Sequence, residues 1–312
     1  MSFFAVLLAL FIEQVKPLPR LNRLQPMLHS WMSWVAQNFN AGKPRHARVV
    51  WLIAVVIPAA LLAAVYHALS HLGVLLALAL DVAVLYLTLG FRQFSHHFTD
   101  IRDALDRGDE LEARRLVAQW QGVEASQLPR SEILRLVIEQ SLLAAHRHVF
   151  GVFFWFVVLS AVGLGPAGAV IYRLSETAWR WSTRLTQGPQ GLGQEVLHEW
   201  NQLMFSRVDH VPARLTAFGF AVVGNFEEAV NGWRRDATLW QHSNEGIILA
   251  AAAGAVGVQL GGQGPQESAA QGSTSGAPPQ MAHLQSMVGL VWRSVVLWML
   301  LVALLSLANV LG

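Results

Sequence analysis

Apolar residues in this chain are gathered into long runs separated by short polar stretches. Between Arg48 and Arg92 the only charged residue is Asp81. That stretch holds two helices of about 20 residues, the length that crosses the hydrocarbon core of a bilayer. Ser70-His71, with Gly73 just beyond, is the natural cut. The first helix is predicted over residues 49–69, with Pro58 tolerated where neighbours satisfy the carbonyl it frees, and the second over 72–89. Such a hairpin has both ends on one side of the membrane. A third uncharged run lies between Arg147 and Arg173 and contains Gly163-Leu164-Gly165-Pro166-Ala167-Gly168, which a straight helix tolerates poorly. Residues 149–162 alone are short for a span. The pattern predicts a helical hairpin turning at 163–168, re-entrant where protein or water backs it. The last run, 294–312, has no charge and, with 287–292 before it, predicts a terminal membrane helix. The run at residues 1–12 is short enough to be a weak span, a signal anchor or an interfacial helix, and no small-residue cleavage site follows it.

The polar stretches also carry pattern. Residues 98–121 read as two helices meeting at Gly108-Asp109. Residues 131–148 read as amphipathic, with Ile133, Leu134, Val137, Ile138 and Leu142 at helical spacing and Ser131 as N-cap after Pro129. Residues 187–194 form a Gly-rich loop, and the Gly, Gln, Ser, Ala and Pro of 261–279 read as a mobile linker. No repeat and no strand-rich segment is visible. The expected fold is all-α: a polytopic helical membrane protein with a cytoplasmic helical region. Its expected divisions are an apolar helix and basic segment (1–48), a transmembrane hairpin (49–91), a cytoplasmic helical region (92–147), a membrane and interfacial core with the broken hairpin (148–260), a flexible linker (261–286) and a final transmembrane helix (287–312).

Composition supports the membrane reading. Hydrophobic residues make up 54% of the 312 and charged residues 13%, whereas an ordinary soluble domain carries about 25% charged residues. The absence of cysteine excludes a disulfide framework, a thiolate metal site, an iron–sulfur cluster and a cysteine nucleophile. A net charge of +2 gives no reason to expect a nucleic-acid partner. Lys16, Arg20, Arg23, Lys43, Arg45 and Arg48 precede the first hairpin, Arg92, Arg102, Arg107, Arg114 and Arg115 follow it, and its turn has neither Arg nor Lys. The positive-inside rule therefore places both flanks of this multi-pass protein in the cytoplasm, with lipid as its first partner.

Few residues announce chemistry. His96-His97 and the His146/His148 pair lack the i, i+4 spacing that sets two metal ligands on one helix face, so no metal site is assigned. Gly254-Ala255-Val256-Gly257 lacks the Lys-Ser/Thr of a phosphate loop, and no Gly-x-Ser-x-Gly elbow is present. Asp81 is an acid at membrane depth, a costly position that often marks function. Arg92 ends the hairpin at the interface; Arg214 enters an uncharged stretch as an interface anchor or an anion contact. Trp155, Trp179, Trp181, Trp200, Trp233, Trp240, Trp292 and Trp298 suit an aromatic belt at the lipid headgroups. Residues 225–235, with Glu227, Glu228, Arg234 and Arg235, read as a solvated helix face.

Taken together, several segments resemble the CobD/CbiB family. They are Leu89-Gly90-Phe91-Arg92, Ala104-Leu105-Asp106-Arg107-Gly108-Asp109 with Glu112-Ala113-Arg114, Val211-Pro212-Ala213-Arg214-Leu215-Thr216, and most specifically His242-Ser243-Asn244-Glu245-Gly246 running into Ala250 and Leu260-Gly261-Gly262. The resemblance covers about residues 50–262. It implies an integral membrane protein of cobalamin biosynthesis, whose active members join adenosylcobyric acid to an aminopropanol-type amine or its phosphate at the expense of ATP. The N-terminal apolar run, Phe154-Trp155 and the last helix also resemble AmpE, an inner-membrane protein linked to β-lactamase regulation. The chain departs from the active pattern at Leu143-Ala144-Ala145-His146-Arg147-His148, at Ser175-Glu176-Thr177-Ala178-Trp179 and at Gly122-Val123-Glu124-Ala125, where acidic or polar residues are expected. Only Glu139 remains of the Glu-Ser pair that precedes the first of these segments, and Glu176 and Glu245 are candidate replacements for the missing carboxylates. The resemblance marks Arg92, Glu139, Arg214, Asn244, Glu245 and Gly246 as ligand-binding candidates around a family cavity near Arg92, Arg214 and Asn244.

The missing carboxylates, which ATP-dependent amide synthesis uses to hold magnesium, favour a non-catalytic, ligand-sensing or regulatory member that binds a corrinoid or a cell-wall-derived small molecule. The alternative is an adenosylcobinamide-phosphate synthase using ATP, magnesium and a corrinoid. A transporter is a weaker third, supported only by the broken apolar segments. Faces rich in Ala and Gly leave homo-oligomerisation open.

Overall fold

The computed structural model describes residues 2–15, 24–122, 124–186, 193–262 and 270–311, with the side chains of 2, 14–15, 24, 91–96, 121 and 309–311 outside the description. Lys16, Arg20, Arg23, Val123, most of the 187–194 loop and the middle of the expected linker therefore lie outside the described residues. Along the chain run α1 Ser2–Val15, α2 Leu24–Phe39, α3 Pro44–Trp51, a π turn Leu52–Val56, α4 Ile57–Leu72 and α5 Val74–Thr88. Then come α6 Phe91–Asp106, α7 Glu110–Gln121, α8 Arg130–Ala145, a second π turn His146–Phe150, α9 Gly151–Ala161 and α10 Ala167–Thr186. The chain continues through α11 Gln194–Val223, α12 Phe226–Asp236, a 3-10 turn Ala237–Leu239, α13 Ser243–Val256 and α14 Met281–Leu311. Among the described residues no strand forms, and the fold is all-α.

Two compact units divide the chain: residues 1–90, 151–211 and 305–312 form one, and 91–150 and 212–304 the other. In the first, Met32 and Val35 of α2, Val50 of α3, Val55 of the π turn, Leu174 and Trp181 of α10 and Leu197 of α11 bury one another in a common core. In the second, α12 and α13 approach closely because glycines face them. A Cβ on Gly254 would stand 2.1 Å from the Glu228 carbonyl oxygen, and one on Gly232 would stand 2.8 Å from that of Ala250. The Ala/Gly richness of this run is therefore a packing requirement.

Among the described residues, three helices are long and apolar enough to cross a membrane: Pro44–Leu72, Arg130–Ala161 and Met281–Ala308. The first and last lie where the apolar runs predict them. The hairpin's second helix, Val74–Thr88, has 15 residues, fewer than the about 20 that a full crossing uses. The middle span corrects the sequence reading. In place of a surface amphipathic helix followed by a short re-entrant piece, one 32-residue helix runs through the second π turn. No proline or glycine pair interrupts it between Pro129 and Gly163, and Gly151 is required where the Tyr172 ring lies 2.1 Å from its would-be Cβ. Residues 133–139 and 142–145 are buried, so the apolar periodicity marks a central helix. Pro129 takes the cap position assigned to Ser131. The turn after α9 falls at the expected glycines, with Gly163 and Gly165 at positive φ.

Both prolines that break the α-helical ladder are compensated. A proline leaves the carbonyl four residues earlier without its N–H partner. For Pro212 that carbonyl is Val208, which accepts the Trp155 indole N–H at 2.9 Å. For Pro58 it is Ala54, which accepts the Trp31 indole N–H at 3.3 Å. Trp155 is therefore no belt residue. Trp179, stacked on Phe205 at 5.1 Å, Trp181 and Trp240 are likewise buried, while Trp292 is exposed as a belt requires.

The expected mobile linker is also different. Within its described part, Thr274 N–H donates to the Leu260 carbonyl at 2.7 Å, Gln259 N–H to Ala277 at 2.8 Å and Ala277 N–H to Gly257 at 2.9 Å. Polar, Gly-rich composition here builds a hydrogen-bonded loop against the exit of α13, and the last helix starts at Met281.

Candidate functional site

The site is built around the start of α13. The 3-10 turn 237–239 delivers the chain to buried Trp240, and His242 takes the cap position with extended backbone. Ser243 is exposed, whereas Asn244 and Glu245 are buried. Gly246 is a glycine because a Cβ there would stand 2.1 Å from the Ala237 carbonyl oxygen; the turn packs directly across the helix. Gly246 thus shapes the site and offers no side chain to a ligand.

Two arginines converge on this first turn. Arg214, from α11, donates from Nη1 to Asn244 Oδ1 at 3.3 Å. Arg147, from the second π turn, pairs through Nη2 with the Glu245 carboxylate. Beside it, His146 Nδ1 contacts Thr216 Oγ1 at 2.9 Å. A π turn inserts one residue into the helix and shifts its register, and here it carries the adjacent His146 and Arg147 to partners on α11 and α13. Two guanidinium groups and one carboxylate thus meet at the positive end of a 14-residue helix, a setting that favours an anion. Arg147, His146 and Thr216 were not among the sequence candidates. The departure of 143–148 from the family pattern was the local signal for His146 and Arg147, Thr216 lay inside the resembling 211–216 segment, and a partner 98 residues away leaves no mark in local spacing.

Glu139 is held by partners of its own. It is fully buried. Its carboxylate accepts from Arg135 Nη1 at 3.1 and 3.2 Å and from the Gly261 N–H at 2.7 Å, while Arg135 also pairs with Glu132 at 2.6 Å. Glu139 anchors the loop that leaves α13. The side chain of Arg92 lies outside the described residues, so the structure does not bring it to the site. Glu176 belongs to the other unit, paired with Arg173 at 2.7 Å and Arg180 at 3.0 Å.

These pairings bear on magnesium. The ion binds through one or two carboxylates together with water and substrate phosphates. Glu139 and Glu245 are both paired with arginines, so these two candidates do not fit a protein-held magnesium ion. Among the described residues no three His, Asp or Glu side chains cluster around a metal position.

An apolar cavity of about 280 Å³ in the same unit is lined by Phe98, Ile138, Leu142, Val291 and Trp292, and not by Arg214 or Asn244. Asp81, on α5, is buried, and its Oδ1 has no hydrogen-bond partner among the described residues.

Comparison with known proteins matches this chain to the CobD/Cbib protein model over residues 3–178 and 207–291, which include α13, Arg147 and Arg214. A "Cobalamin biosynthesis protein CobD" of Stutzerimonas stutzeri is 34% identical over 276 residues, 85% of this chain and 84% of that protein. Proteins of the same name from Chromobacterium violaceum and Leptospira interrogans are 34% and 27% identical over 60% and 69% of this chain, and over 57% and 65% of their own lengths. No solved structure matches. The AmpE likeness and the regulatory reading gain no support from these matches. The chain belongs to the CobD/CbiB family of cobalamin-biosynthesis proteins.

Proposed function

We propose that this protein is an adenosylcobinamide-phosphate synthase of the bacterial inner membrane. It joins adenosylcobyric acid to an aminopropanol-type amine or its phosphate and consumes ATP. This inverts the order of the two sequence readings: relatives named for cobalamin biosynthesis, one of them matched over most of both chains, favour synthase over sensor. The observation that carries the reading is the convergence of Arg147 and Arg214 on the first turn of α13.

A carboxylate is a poor acyl donor. Transfer of a phosphoryl or nucleotidyl group from ATP turns one of its oxygens into a leaving group. The amine nitrogen then forms a bond to the carbonyl carbon, the C–O bond to the activating group breaks, and the nitrogen loses a proton. Every stage carries anionic oxygens, and preorganised cations and helix N–H groups aimed at them are the main source of rate. Arg214, half-buried at the first turn of α13 beside Asn244, is the cation assigned to the anionic substrate. Arg147, balanced by Glu245, holds the turn in place.

The test is rescue of a bacterial strain lacking its own synthase. Wild type restores cobalamin-dependent growth, and Arg214→Ala, accumulated to the same level, does not. One observation favours the sensing alternative: the arginine commitment of Glu139 and Glu245. Failure of the wild type to rescue, combined with retained corrinoid binding, would establish that alternative instead.

A further inference from the structure

We propose that His67 and His71 form a two-histidine chelate for a borderline divalent transition metal, zinc or nickel, at the tip of the first hairpin. The histidine pairs considered from sequence lack i, i+4 spacing; this pair has it. Both residues lie in the last turns of α4, one turn apart on one face. Both are exposed. Their Nε2 atoms are 3.1 Å apart, with ring centroids at 4.5 Å. Two zinc–nitrogen bonds of about 2.0–2.1 Å at a tetrahedral angle put their nitrogens about 3.3 Å apart. The pair is thus already at ligand spacing, and a small rotation of two exposed rings turns both lone pairs toward one point.

The surrounding backbone is firm. Ser70 Oγ donates to the His67 carbonyl at 2.7 Å, and Gly73 N–H closes the helix on Leu69 at 3.0 Å. Imidazole nitrogen suits zinc, copper and nickel over magnesium or calcium. The remaining coordination positions face outward, open to water or to a ligand atom, so this is an open site unlike a closed four-ligand structural one.

The test uses the purified full-length protein in detergent, stripped of metal and titrated with Zn²⁺ and, separately, Ni²⁺ while bound metal is measured. Wild type binds one equivalent more tightly than the rest. His67→Ala and His71→Ala each lose that equivalent with unchanged helical content, as exposed substitutions allow. The double variant His71→Ala with Ala68→His keeps the histidine count but places the two rings on different faces, and it loses the equivalent too. Persistence of the tight equivalent in either single variant or in the double variant would overturn the proposal, as would a wild type with no equivalent to lose.

Discussion

A buried carboxylate held by a guanidinium and a backbone N–H is committed to holding the fold together. Glu139 is in that state, and its Arg135 and Gly261 partners are themselves buried. Glu139→Ala leaves Arg135 buried with half its countercharge and frees the Gly261 amide, and breaking a buried pair from one side costs about 3–5 kcal/mol. Chemical denaturation in detergent is expected to show that loss. Unchanged stability with lost activity would return Glu139 to the ligand-binding role that its sequence position suggested. Arg147 and Glu245 form a second buried pair. Arg147→Met and Glu245→Leu are each expected to destabilise strongly, and the double variant less than the sum, in a thermal unfolding cycle. At this scale the sequence motif was a partial guide. Arg214, Asn244 and Glu245 do meet, because the motif keeps residues that meet. Their partner Arg147 and the anchoring role of Glu139 depend on which helices pack together, and that is decided by tertiary contacts outside any local window.

Elements were legible wherever a boundary has a local chemical cause. Gly108-Asp109 separates α6 from α7, with Asp109 Oδ1 accepting the Glu112 N–H at 3.0 Å as an N-cap. Gly73 ends α4, and the 163–165 glycines end α9. The 130–161 helix was misread because short polar interruptions such as His146-Arg147-His148 look like a boundary when their buried partners are unseen. The proline sites give an element-scale test. Trp155→Phe orphans the Val208 carbonyl, and an unsatisfied polar group costs about 1–3 kcal/mol. Pro212→Ala restores an N–H at that position, so the same Trp155 substitution is expected to cost less in that background. Equal costs in both backgrounds would show that the indole bond does not compensate the proline. Gly254→Ala is expected to lower the melting temperature sharply, because its Cβ would meet backbone oxygen on α12 and not a yielding side chain.

For the whole molecule, charge distribution was the most informative property of the sequence: among the described residues, two of the three helices of spanning length and composition lie where its apolar runs place them. The proposed multi-pass topology is testable because the natural chain has no cysteine. In Ser70→Cys the thiol sits at the hairpin turn, and a membrane-impermeant maleimide is expected to label it in intact spheroplasts. In Ser126→Cys it follows α7 and is expected to be labelled only after lysis. The reverse pattern would invert the orientation. What the apolar pattern could not supply was the choice between enzyme and relic. The carboxylates absent from the expected motif argued for a relic, and relatives matched across most of the chain argue for an enzyme. The most direct measurement is formation of the amide itself by the purified full-length protein supplied with adenosylcobyric acid, an aminopropanol-type amine or its phosphate, and ATP. The account predicts an ATP-dependent adenosylcobinamide product, abolished in Arg214→Ala. Corrinoid binding without product, under conditions in which membranes of a cobalamin-producing bacterium make it, would contradict the account.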